Sequence, residues 1–256
     1  MTVTKHKLKK ELGQNFLLDK SVAKKMVDSL KIEKGDLIIE IGAGMGAVTD
    51  VIAKKIKEVK ADAIVLEIDR RFVKDLEAKY KKNPRIKVVE GDVLRWLANY
   101  ETRKNFKVVG SLPYYITSPI LHSIVRHTNN ISVAVILIQK EVAEKIEKKC
   151  PDASYLSTYL QTFYKVEIVK KVAKNLFVPA PKVDGAVVKM TKLDKFPVSK
   201  KEAPDYEEFL HNGFSKPRKM LNKVFSKETL NKKGIDEKLR PQHIEVEKWV
   251  DLFKSR

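Results

Sequence analysis

The feature that most restricts the fold is a rhythm. Short, near-continuous apolar runs alternate with longer amphipathic stretches through the first three-quarters of the 256 residues. Leu37–Ile41, Ala63–Leu66, Ile86–Val89, Phe106–Val109 and Val133–Ile138 read as strands, and Val48–Ile56, Arg71–Tyr80 and Pro119–Arg126 as helices among them. Strands without polar alternation are covered on both faces, and strands separated by helices pair in parallel. Val166–Val172 and Ala186–Met190 lack a convincing helix between them and are expected to form an antiparallel end to this sheet. Around Lys192 to Pro204 the composition turns to Lys, Pro, Ser and Asp; beyond it the chain has helical periodicity and no strand-like run. The expected organisation is therefore an α/β domain over residues 1–192 and a small all-α domain over 193–256. With three or four short helices, the second could not build a large core alone.

Glu40-Ile41-Gly42-Ala43-Gly44-Met45-Gly46 stands where the first apolar run gives way to the first helix. Glycines at such a turn let the backbone approach a ligand closely. The G-x-G-x-G spacing is typical of S-adenosylmethionine sites, yet Gly42-x-Gly44-x-x-Ala47 also satisfies the dinucleotide fingerprint. Glu67, at the end of the second strand, suits a carboxylate that grips ribose hydroxyls in either case. Asp92, just past the third, is a candidate partner for an adenine amine, or else a helix cap.

Ser111-Leu112-Pro113-Tyr114, at the end of the fourth strand, separates these possibilities. It resembles the (Asn/Asp/Ser)-x-Pro-(Tyr/Phe) motif of methyltransferases acting on exocyclic amino nitrogens. An aromatic amine is a poor nucleophile because its lone pair is delocalised into the ring. A polar side chain and the carbonyl before Pro113 can accept its N–H hydrogens and favour a pyramidal nitrogen, while Tyr114 offers a face for an extruded base. Hydride transfer asks for no such tetrapeptide.

The charge balance agrees with a polyanionic partner. Lys+Arg number 52 against 33 Asp+Glu, a formal net charge of +19. Lys/Glu enrichment alone can serve high-temperature stability, but it would bring acids along with bases. The surplus is mostly Lys, which suits phosphate contact rather than base reading. No apolar run approaches the roughly 18 residues of a membrane span, and the Lys-rich first ten residues lead into no apolar stretch, so no secretory leader is read there. One cysteine, Cys150, and scattered histidines (His6, His122, His127, His211, His243) show no metal-ligand spacing. The expectation is a reducing, cytoplasmic setting.

Four segments in order extend the resemblance to nearly the whole chain: Leu12-Gly13-Gln14-Asn15-Phe16-Leu17; Ser111 to Pro119; Gln139-Lys140-Glu141-Val142-Ala143; and Phe177-Val178-Pro179-Ala180-Pro181-Lys182-Val183-Asp184-Gly185-Ala186-Val187. They look like the motifs of the KsgA family of small-subunit rRNA adenine dimethyltransferases. The resemblance implies a Rossmann-like S-adenosylmethionine-dependent methyltransferase sheet with a helical RNA-docking domain, acting as a monomer on an immature small ribosomal subunit. It implies two methyl transfers to N6 of each of two adjacent adenosines near the 3′ end of the small-subunit rRNA, without metal. Carried over by position, Asn15, Leu17, Gly42, Gly44, Gly46, Glu67, Ile68, Asp92 and Val93 would surround the cofactor, with Ser111 at its boundary with the base. Residues 1–35 would close over it. Ser111, Leu112, Pro113, Tyr114 and Phe177 would hold the target adenine, and Lys216, Arg218, Lys219 and Lys223 the RNA.

Three departures from the family pattern stand out. Ser111 replaces a usual Asn and reaches less far toward the base. Ala153-Ser154-Tyr155-Leu156-Ser157 replaces Tyr-Gly-Arg-Leu-Ser, one positive charge fewer in a loop expected near RNA. Lys216-Pro217-Arg218-Lys219 replaces adjacent arginines, with Pro217 expected in the first turn of a helix that aligns Lys216, Lys219 and Lys223 on one face. Two other readings share these motifs: the related antibiotic-resistance methyltransferases of large-subunit rRNA, and a non-catalytic ribosome-assembly factor. Leu112 and the Tyr115-Ile116-Thr117-Ser118-Pro119 continuation favour the small-subunit family; intact Gly42, Gly44, Glu67 and Asp92 favour a bound cofactor.

Overall fold

Apolar β-branched residues dominate the central strands, and aspartate side chains cap three of the first helices. The computed structural model describes residues 14–100, 102 and 104–256, and of Tyr114 the backbone alone. The elements in order are β1 (Phe16–Leu17), α1 (Lys20–Leu30), β2 (Leu37–Ile41), α2 (Ala47–Val59), β3 (Asp62–Glu67), α3 (Arg70–Tyr80) and β4 (Ile86–Glu90). There follow α4 (Val93–Asn99), β5 (Phe106–Ser111), α5 (Thr117–Arg126), β6 (Ile131–Gln139), α6 (Lys140–Glu147) and α7 (Tyr155–Gln161). The chain continues through β7 (Tyr164–Val172), β8 (Phe177–Val178), β9 (Gly185–Lys192), α8 (Ala203–Gly213), α9 (Lys227–Lys232) and α10 (Val246–Phe253).

Seven strands form one sheet in the order β4-β3-β2-β5-β6-β9-β7, and β1 pairs with β8 in a second, two-stranded sheet. Strands β4 to β6 run parallel, whereas β9 is antiparallel to β6. The chain reverses its direction of winding between β2 and β5, so their C-terminal ends lie side by side at a switch point. Open α/β sheets bind ligands at such a point. Asp19, Asp69 and Asp92 each accept a backbone N–H two or three residues on, starting α1, α3 and α4.

The chain divides into two compact units. One runs to Lys140 and resumes over Glu167–Thr191; the other comprises Glu141–Val166 and Lys192–Arg256. In the first, α1 buries Val22, Ala23, Met26, Val27 and Leu30 in a core with Ile38, Ile52, Val109, Val135 and Val187. Of the expected N-terminal closing segment, Gln14, Asn15, Phe16 and Leu17 line the cavity described below, whereas residues 20–30 are core helix. Lys5, Lys7, Lys9, Lys10, Leu12 and Gly13 lie outside the described residues.

In the second unit, Glu141–Val166 joins the helical segment expected to stand from 193. So short a helical segment lacks core, and α7 and its C-terminal flank supply it: Tyr159, Phe163 and Tyr164 are fully buried. Tyr159 and Tyr155 hydroxyls donate to Glu207, and Tyr206 bonds Thr162. Tyr155 belongs to a helix rather than a loop, its ring stacked on His211 at 3.8 Å. Gly213 admits Trp249: a β-carbon there would lie 2.5 Å from the indole.

The helix expected to start at Pro217 is absent. Residues 214–220 are turns, followed by a single 3-10 turn, Leu221–Lys223. The Leu221 and Asn222 amides, which such a helix would spend on its own first turn, donate instead to the Leu239 and Glu237 carbonyls. Lys216, Lys219 and Lys223 are exposed, but they do not share a helical face.

Candidate functional site

Strand β2 ends at Ile41, and Gly42, Gly44 and Gly46 follow with φ of 68°, 53° and 82°. The Gly42 and Ala43 amides donate to the Leu66 carbonyl at 2.9 and 3.2 Å, folding the loop onto the end of β3. The Gly44 amide donates to Glu67 Oε2 at 2.7 Å, while Glu67 Oε1 accepts from the Ile68 and Asp69 amides, each at 2.9 Å. Burial raises the Glu67 carboxyl above its usual range, and these three N–H donors pull it the other way. The Gly91 amide donates to the Glu67 carbonyl, which ties the ends of β3 and β4 together.

Beneath the loop lies Glu40, 1% exposed, with Oε2 buried and without a hydrogen-bond partner. Burial pushes this carboxyl up to about 8, with the charge of Glu67 adding to the shift. Asp69 is opposite in character. The Arg71 guanidinium, 2.6 Å away, holds it well below the carboxylate range.

The N-terminal strap is fastened at several points. Leu17 pairs with Phe177 and Phe16 with Val178 across β1 and β8, and the Leu18 amide donates to the Leu176 carbonyl. Gln14 Nε2 donates to Asp69 Oδ2 at 3.0 Å, and the Phe16 ring lies 5.0 Å from that of Phe72. From the other side, β5 delivers Ser111 opposite Leu137. A side chain on Gly42 would begin 3.6 Å from the Ser111 carbonyl oxygen, so the glycine loop and the Ser-Leu-Pro segment adjoin.

These elements enclose one cavity of about 150 Å³. Asn15, Leu17, Gly42, Gly44, Glu67, Ile68, Asp92, Val93, Ser111, Leu112, Pro113 and Phe177 all line it. Gly46 does not; it caps the start of α2. Asp92 lines the cavity and also caps α4, accepting from the Arg95 amide at 2.9 Å. The stacking expected of the Tyr114 ring lies outside the described residues. Lys216, Arg218, Lys219 and Lys223 are exposed in the second unit. Sequence reasoning assigned no role to Glu40, Gln14, Phe16 or Tyr115, which also line the cavity. Each stands inside a motif all the same: Gln14 and Phe16 in the opening one, Glu40 at the head of the glycine loop and Tyr115 directly after Ser111-Leu112-Pro113-Tyr114.

Residues 5–256 match the family described as ribosomal RNA adenine dimethylase. Ribosomal RNA small subunit methyltransferase A of Persephonella marina (strain DSM 14350 / EX-H1) is 33% identical over 249 residues, covering 96% of this chain and 93% of the relative. The protein of the same name from Clostridium botulinum (strain Kyoto / Type A2) is 32% identical over 259 residues, with 96% and 93% covered. The fold resembles the crystal structure of the 23S rRNA methyltransferase ErmE (TM-score 0.76, 24% identity, 94% of this chain and 98% of that one). It also resembles a dimethyladenosine transferase from Plasmodium falciparum (TM-score 0.75, 21% identity, 93% and 95% covered). At these identities the two structures speak for the fold alone. Among the described residues no helix is long and apolar enough to cross a membrane.

Proposed function

The chain belongs to the ribosomal RNA adenine dimethylase family, and from that premise we propose that it dimethylates N6 of two adjacent adenosines near the 3′ end of small-subunit rRNA. It does so as a cytoplasmic monomer acting on the immature small subunit. The observation that carries this is the meeting of Gly42 with the Ser111 carbonyl at the switch point of the sheet. A cofactor loop and an amine-binding segment share one cavity there.

S-adenosylmethionine, bound in this cavity, supplies an electrophilic methyl group. The residues present fit it: the Gly42 and Gly44 backbone leaves room for close approach, Glu67 offers a carboxylate to hydroxyls, and Glu40 keeps a buried oxygen unpaired. Asn15, Leu17, Gly42, Gly44, Glu67, Ile68, Asp92 and Val93 would hold it, and Gly46 shapes the turn beneath.

The Ser111 hydroxyl and Leu112 carbonyl accept the hydrogens of the target amine and aim its lone pair. Phe177, 5% exposed, walls the same cavity, and with Tyr114 it would clamp the extruded base. Proximity and orientation supply the rate, without a covalent enzyme intermediate. Lys216, Arg218, Lys219 and Lys223 contact RNA phosphates.

The test is nucleoside mass spectrometry of undermethylated small subunits incubated with the protein and S-adenosylmethionine. N6,N6-dimethyladenosine is the expected product. Monomethyladenosine alone would mean that the second transfer stalls at Ser111. Neither product, with cofactor binding intact, would favour an assembly-factor role on the same fold.

A further inference from the structure

Tyr115 lines the same cavity as Ser111 and Pro113, yet it is 58% exposed and makes no hydrogen bond or ring contact among the described residues. Exposed large apolar groups are rare here, and the other one at the cavity, Ile68, is accounted for by the cofactor. Nothing in the fold or in the two methyl transfers uses the Tyr115 ring. Its backbone is nevertheless anchored on both sides. Tyr115 lies in a one-turn 3-10 helix, Tyr114–Ile116, in which the Ile116 amide donates to the Pro113 carbonyl at 3.2 Å. Leu112 before it and Thr117 after it are both buried. The result is an aromatic side chain on a fixed mount at the rim of the site, facing solvent.

We propose that Tyr115 is a specificity residue for the RNA: its ring stacks on the nucleobase that flanks the target adenosine. This rests on the function proposed above. Extruding one base from a strand strips its neighbour of a stacking partner. An aromatic face beside the entrance restores that contact, and it does so for any base because every base has a π-face. The stack holds the strand in register while the target amine reaches Ser111, and it favours a single-stranded or splayed substrate over a closed helix.

The experiment compares Tyr115→Ala and Tyr115→Phe with the wild type on undermethylated small subunits, measuring kcat, KM for the subunits and the dissociation constant of S-adenosylmethionine. Loss of one base stack is expected to raise KM about tenfold in Tyr115→Ala, with cofactor affinity unchanged and Tyr115→Phe restoring KM. An unchanged KM in Tyr115→Ala overturns the proposal, as does a defect that Phe does not repair or one that resides in cofactor affinity. Wild type measured alongside separates the two levels. An inactive wild type defeats the function and the stacking together, whereas an active wild type with an indifferent Tyr115→Ala defeats the stacking alone.

Discussion

The edge of the Phe16 ring occupies the space beside Gly44: a β-carbon there would lie 2.8 Å from both Cδ1 and Cε1. Gly44 also has φ 53°, which costs a residue with a side chain about 1–2 kcal/mol. Gly44→Ala therefore faces two separate penalties, and the Gly44 amide that reaches Glu67 would shift with them. Denaturant unfolding is expected to show a loss of roughly 1–3 kcal/mol, and calorimetry a loss of cofactor affinity. In a Phe16→Ala background, compared with Phe16→Ala alone, Gly44→Ala should lose the steric part of its cost and keep the backbone part. No cost in that background would show that φ carries no weight here.

Glu67 accepts three backbone amides with its two carboxyl oxygens. A glutamine offers one oxygen, and its amide nitrogen would confront an N–H. Glu67→Gln should leave at least one buried donor unpaired, at about 1–3 kcal/mol of stability, and should weaken S-adenosylmethionine binding. Cofactor affinity equal to wild type would remove Glu67 from the site.

The Glu40 carboxyl is pushed up to about 8 by burial, from an unfolded value of 4.5. Between those values the folded chain holds a proton that the unfolded chain has released. Stability from this group is therefore full below 4.5 and declines as pH rises toward about 8. Glu40→Gln lacks that decline. Unfolding at about pH 5 and about pH 8.5 should show the variant gaining on wild type by on the order of 4 kcal/mol at the higher pH. A difference that does not vary with pH would mean that Glu40 is charged in the fold.

Ser111 terminates β5 with its carbonyl against the glycine loop, so its backbone position is set and only side-chain reach separates it from asparagine. Ser111→Asn is expected to raise the rate, or the ratio of dimethyl- to monomethyladenosine, by about tenfold, the worth of one hydrogen bond to a charged group. Quantitative nucleoside mass spectrometry over a time course reads both. If neither moves, side-chain reach does not limit either transfer.

Lys216, Arg218, Lys219 and Lys223 are exposed, and Lys216, Lys219 and Lys223 show no ion pair with a carboxylate among the described residues. If they neutralise phosphates, RNA affinity falls with salt at a log–log slope of roughly −0.7 to −0.9 per contact. Lys216→Ala combined with Lys219→Ala should make that slope shallower by about two contacts' worth, with cofactor affinity unaffected. An unaltered slope would return these lysines to the solvated surface.

Much of this protein is local and therefore readable in one dimension. The apolar runs of β2, β3 and β6 show little polar alternation because these strands lie inside the sheet and are buried on both faces, and each can be read from its own residues. Gly42, Gly44 and Gly46 announce a left-handed turn, and Ser111-Leu112-Pro113 announces amine chemistry, because these properties belong to the residues themselves. Their meeting does not. Gly42 lies beside the Ser111 carbonyl only because β5 returns to the far side of β2, a choice made by the packing of helices on both faces. The same holds for Phe16 over Gly44, for β1 on β8 and for the unpaired oxygen of Glu40. It holds most clearly for residues 216–223, where spacing suggests a helix but the Leu239 and Glu237 carbonyls take the amides. Sequence by itself determined which segments are strands, where the glycine loop turns and what chemistry the motifs can perform. Tertiary structure alone decided which of them share a cavity, because hydrogen bonds and burial across long separations outweigh local periodicity.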